Sequence, residues 1–141
     1  MIIVDDHLAL LAIAGSLPDL GQPGPVTTTY GFHYRLARAV SDSARSGTLS
    51  RRLQQAPAAL NRVLRPPANR LLVLDPRASV DEAVSVAIER GANLLLAELV
   101  GAAVHHRASV RITPGNMGRT WAAVMDAAGV NFATVRPWVR P

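Results

Sequence analysis

Two adjacent carboxylates, Asp5 and Asp6, follow the apolar run MIIV and precede His7 and a second apolar run, LALL. Carboxylates so placed can do one of two things. They can accept hydrogen bonds from the free backbone N–H groups that begin a helix, or they can hold a hard cation where a buried strand ends. The pair alone does not separate these readings, so the question becomes which distant residues could join it. Glu98 is the only carboxylate in the apolar segment NLLLAELVGAAVHHR, and Asn116 stands in the turn PGN beyond the run VRIT. Both also have plain structural readings: Glu98 as an exposed group or the partner of an arginine such as Arg107, Asn116 as a helix cap.

The remaining polar side chains are less specific. His105 and His106 end a helical segment, where a partial negative charge favours imidazolium and explains them without a metal. His7 and His33 read as packing or surface residues, and Phe32, Tyr34 and Trp121 as core aromatics. All fifteen basic residues are arginine, and the formal charge is +5. Guanidinium forks suit phosphate and carboxylate partners and keep their charge near neutral pH, so a polyanionic partner is compatible with this composition. Arg35 and Arg38 lie three apart on one helical face and, with Arg51 and Arg52, form either a solvated face or a phosphate-binding one.

The absence of cysteine excludes disulfides, thiolate zinc sites and a cysteine nucleophile. The turn ITPGNMG lacks the glycine spacing of a dinucleotide fingerprint, and neither a P-loop nor a nucleophile-elbow serine occurs. The N-terminus has no basic leader, and no run is long and apolar enough to span a membrane. A soluble cytoplasmic protein is the expectation.

The elements that must position the carboxylates follow from apolar periodicity and its punctuation. Ile2 to Val4 reads as a short buried strand and residues 8–14 as a helix ended by Gly15 and Pro18. Residues 17–25 form a Gly/Pro-rich loop. Thr28 or Thr29 caps a helix over YGFHYRLARAVSD, a weaker helical segment covers TLSRRLQQ, and AALNRVL stops at Pro66 and Pro67. Residues 71–74 read as a strand. Ser79 and Glu82 make a capping box for a helix through Arg90, with Gly91 as its stop. A helix over residues 93–107, a strand over 110–113, a helix over 117–128 stopped by Gly129, and a strand over 130–135 complete the chain, with RPWVRP as an irregular end.

Length suits one domain over residues 1–141 with its own core. Apolar strands separated by helices imply an α/β fold, a three-layer α/β/α sandwich around a central parallel sheet. Such sheets place ligands outside the carboxyl ends of their strands, where Asp5, Asp6 and Asn116 fall. Glu98 reaches the same edge if the N-terminal half of its helix points that way.

Nearly the whole chain resembles the PIN domains, small α/β metal-dependent nucleases that include many toxin ribonucleases. IIVDDHLALL is similar to the family's opening strand, metal-binding Asp and first helix. LLAELVGAAVHHRASVRITPGNMGRTWAAVMDAAGV is similar to its acidic helix, strand, turn and final helix, in that order. The resemblance implies Mg2+ or Mn2+ held by acids that activate water against an RNA phosphodiester, the cation stabilising the charge that develops on the phosphate. Asp5 matches the first acid and Glu98 a later one. Asp6 and Asn116 would complete or orient the shell, and arginines would hold the RNA backbone. Two positions depart from the pattern: Asn116 stands where the family usually has an acid, and His33 and Tyr34 are nearest to its second-helix glutamate. The implied partners are RNA, an antitoxin protein and, in a homodimer, a second copy of the chain. The alternative is a PIN-like protein that has lost catalysis and binds RNA or a protein.

Overall fold

The structure is a computed structural model, and it describes residues 1–41 and 70–137. The expected helical segments over TLSRRLQQ and AALNRVL lie outside these residues, as does most of the RPWVRP end. Strands β1 (Ile2–Val4), β2 (Val26–Thr28), β3 (Leu72–Val73), β4 (Ser109–Ile112) and β5 (Phe132–Thr134) form one parallel sheet in the order β3-β2-β1-β4-β5. Five helices are described with them: α1 (Asp6–Ala14), α2 (Tyr30–Ser41), α3 (Val80–Arg90), α4 (Leu94–His106) and α5 (Arg119–Ala127). The expected three-layer α/β/α arrangement is present.

Side-chain alternation along β1 divides the interior in two, because successive residues face opposite sides of a sheet. Ile2 and Val4 pack with the residues of α1, with Leu20, Leu36 and Leu71, while Ile3 packs on the other face with α4, Val110, Ile112 and Met125. Helix α1 is apolar all round, and Leu8 to Ile13 are all buried, as a helix without a polar face must be. Its ends are fixed by different means. Asp5 caps the start, and at the other end Gly15, at φ 76°, turns the chain while Arg70 donates to the Ile13 carbonyl at 3.2 Å.

Strand β2 was not expected from the sequence. Its residues, Val-Thr-Thr, are β-branched but two of the three are polar, and the threonines are fully buried. They are satisfied by the neighbouring strand: the Thr27 hydroxyl donates to Ile2 O at 3.0 Å and the Thr28 hydroxyl to Val4 O at 2.8 Å.

Helix α3 begins and ends where expected, but the capping box does not form. Ser79 makes no side-chain cap, and Glu82 turns instead to His105 Nδ1 at 2.8 Å. Helices α3 and α4 cross closely because Gly101 has no side chain: a Cβ there would lie 2.6 Å from the Ala83 backbone nitrogen. The last helix is shorter than expected and starts after Gly118, so Asn116 does not cap it. Phe32 is in the core and Trp121 is partly buried, but Tyr34 is 54% exposed, contrary to its expected place in the core.

Candidate functional site at the topological switch point

The strand order reverses between β1 and β4: successive strands run from β1 through β2 to β3 on one side, and the chain then crosses to β4 and β5 on the other. An open parallel sheet leaves a crevice outside its carboxyl edge at such a reversal. Asp5 and Asp6 leave β1 there, and Thr113 to Asn116 leave β4 there.

Asp5 is fully buried, and both of its oxygens are occupied. Oδ1 accepts the Leu8 N–H at 3.0 Å, which caps α1. Oδ2 accepts three bonds, from Thr113 N at 2.7 Å, Thr113 Oγ1 at 2.6 Å and Asn116 Nδ2 at 2.8 Å. The first reading of Asp5, as a helix cap, therefore holds for one oxygen, while the other ties the ends of β1 and β4 together. Four donors satisfy both oxygens of this carboxylate from within the protein.

Asp6 is also fully buried and is brought against the same amide. Its Oδ1 accepts His7 N at 3.1 Å and Asn116 Nδ2 at 3.0 Å, so one amide nitrogen bridges both acids. Its Oδ2 accepts no hydrogen bond, but the Arg35 Nε lies 3.2 Å away. Burial pushes the Asp6 carboxyl above its ordinary value; the Arg35 charge opposes this, and the Asp5 charge adds to it. Arg35 also reaches the Asn116 carbonyl oxygen through Nη2 at 3.4 Å and sits 5.9 Å from the centroid of the Phe32 ring. The guanidinium thus lies over the pair from the solvent side, its side chain 44% exposed.

Glu98 does reach the carboxyl edge, but it is engaged elsewhere. Its Oε1 accepts the Gly31 N–H at 2.7 Å, and Thr29 Oγ1 accepts Phe32 N at 3.3 Å, so two side chains cap α2. The structure brings Asp5, Asp6 and Asn116 together and leaves Glu98 at the neighbouring helix start. Among the described residues, no three His, Asp or Glu side chains converge as a metal centre would require. His33 is half-buried on α2; its Nδ1 has no hydrogen-bond partner, and burial holds its ring below the usual histidine range.

No family model matches the chain, and no curated relative does. The site must be read from its own chemistry.

Sequence reasoning missed Thr113 and the pairing of Arg35. Thr113 ends an apolar run and gives no local sign that its N–H and hydroxyl turn to a residue 108 positions earlier. Arg35 shows only that it is basic and on a helix.

The same edge carries an exposed rim. Tyr30 and Tyr34, one turn apart on α2, are each 54% exposed. Arg119 at the start of α5 and Arg136 after β5 are exposed there too, and Arg77, beyond β3, pairs with Asp75 at 2.9 Å. Among the described residues, no helix is long and apolar enough to cross a membrane.

Proposed function

We propose that this chain is a PIN-like domain that binds RNA along the carboxyl edge of its sheet and does not cleave it through a divalent cation. One observation carries the reading: the acids that would anchor a metal at this edge, Asp5 and Asp6, are already engaged by the protein's own donors, and Glu98 caps α2. Asp5 takes four donors, Asn116 aims its N–H groups rather than its carbonyl at both acids, and Arg35 faces Asp6. One carboxylate oxygen of four is free of hydrogen bonds. Mg2+ takes six oxygen ligands and Mn2+ suits similar sites, so the residues as arranged do not fit such an ion.

What the edge offers instead is exposed aromatic and basic surface. Tyrosine rings at one-turn spacing can stack on the bases of a single strand, and arginines beside them can hold its phosphates. The net charge of +5 favours the same class of partner.

The test is fluorescence anisotropy with a mixed pool of single-stranded RNA at increasing salt, with parallel incubation in Mg2+ or Mn2+. Binding should weaken steeply with salt and leave the RNA intact. Replacing Tyr30 and Tyr34 by Ala should weaken it by about 10-fold or more, since stacking is worth about 1–3 kcal/mol per base. Metal-dependent cleavage lost in Asp5→Ala would make the protein a ribonuclease, in keeping with the toxin activity that the PIN resemblance implies. Absence of RNA binding at low salt would leave a protein partner as the function of this edge.

A further inference from the structure

The carboxylate pair poses a problem of charge that the protein has solved internally. Asp5 and Asp6 are adjacent in sequence, both fully buried, and bridged by a single amide nitrogen. Two carboxylates this close repel, and burial removes the water that would screen them. A nearby positive charge offsets part of this repulsion, and among the described residues the guanidinium of Arg35 is the cation that contacts the pair.

We propose that Arg35 is the resident cation of this site, a tethered guanidinium in the place of a hard metal ion, so that a divalent cation can enter only if Arg35 leaves. Three contacts fix the guanidinium: Nε to Asp6 Oδ2, Nη2 to Asn116 Oδ1, and its face towards Phe32. The oxygen it confronts, Asp6 Oδ2, is the one carboxylate oxygen with no hydrogen bond. That oxygen is the natural attachment point for any cation, and a positive charge 3.2 Å away repels every competitor. Arginine suits the role because its charge persists at all ordinary pH values and because it is weakly hydrated, so seating it over a buried acid costs less than stripping a small divalent ion of its water. The departure of Asn116 from the acid expected at its position fits the same logic. With a single fixed positive charge beside two acids, a third carboxylate would add further repulsion, whereas an amide donates to both acids and accepts from Arg35.

The experiment uses the full chain without RNA, so its outcome is separate from that of the RNA-binding reading. Mn2+ is titrated calorimetrically into wild type, Arg35→Ala and Arg35→Lys, and the thermal unfolding of each is followed with and without Mn2+. Wild type should bind Mn2+ at least about 10-fold more weakly than Arg35→Ala, a difference of about 1.4 kcal/mol. Arg35→Ala should melt lower than wild type in the absence of Mn2+ and recover with it, while Arg35→Lys, still charged, should exclude Mn2+ as wild type does. A merely structural arginine would lower the melting temperature with no rescue by Mn2+. Equal Mn2+ affinity in wild type and Arg35→Ala, or no binding to either, overturns the proposal. If Arg35→Ala does not fold alone, refolding in Mn2+ reads the same quantity: recovery supports the proposal, and failure overturns it.

Discussion

On the carboxyl side of β1 and β4, two buried acids face one half-exposed arginine, whereas within β4 Arg111 is itself buried, 8% exposed, and among the described residues its guanidinium bonds to neutral oxygens. Its Nε donates to Leu20 O at 2.9 Å, Nη1 to Val110 O and Asn131 Oδ1 at 2.9 Å, and Nη2 to Gln22 Oε1 at 3.3 Å. The two regions bury charge by opposite means. Arg111 is solvated by fixed dipoles from the loop before β2, from β4 and from the turn before β5, and so fastens that loop across the sheet. The acids, by contrast, depend in part on one long side chain that can swing into water. The first arrangement is structural and closed, and the second leaves its cation removable.

The largest expected effect tests the closed arrangement. Arg111→Met should cost about 3 kcal/mol or more in urea unfolding, because it strands buried carbonyls and two amide side chains, and Mn2+ should not restore it. A loss below about 1 kcal/mol would mean that the loop holds without the guanidinium and that the contrast with Arg35 is false.

Next comes Asn116→Asp, in which two donated hydrogen bonds give way to a third negative charge against Asp5 and Asp6. It should destabilise the protein at neutral pH by about 2–4 kcal/mol in urea unfolding, and Mn2+ should recover part of this only when Arg35→Ala is combined with it. Unchanged stability would show that the amide bridge carries little of the charge balance.

The smallest effect concerns pH. The folded state holds the Asp6 proton more tightly than the unfolded chain, whose carboxyl titrates near its ordinary 3.8. As pH falls through the raised folded value towards 3.8, this group therefore adds stability, and well above that value the gain is absent. Asp75 and Glu82 shift the opposite way, held low by bonds to Arg77 and His105, and lose their contribution on acidification. Comparing wild type with Asp6→Asn cancels those shared effects. The melting temperature of wild type relative to the variant should rise as pH falls from neutral, and a difference independent of pH would contradict the burial of a strained Asp6.

The fold was largely legible because α1 and α4 announce themselves by apolar runs and α2 by one apolar face, bounded by Asp5, Asn93 and Thr29 at their starts and by Gly15 after α1. Strand β2 was not, since Thr27 and Thr28 look solvent-facing until the carbonyls of β1 receive their hydroxyls. The site was half legible. Asp5, Asp6 and Asn116 meet as strand ends in a parallel sheet should, but the direction of each side chain is a tertiary fact. Nothing near Glu98 in the sequence says that it will cap α2, and nothing near Ser79 says that Glu82 will prefer a histidine on the next helix.

The crossing of α3 and α4 at Gly101 has a mechanical consequence. With the backbone of Ala83 seated where a side chain would stand, a slip of one turn along the helix axis would drive Ala97 or His105, four residues away on the same face, into that same peptide. Axial sliding is thereby blocked, and the Glu82–His105 pair ties the two helices at a second point. The two helices are therefore held together at two points, while Val80, Val84 and Ile88 remain exposed on the outer one.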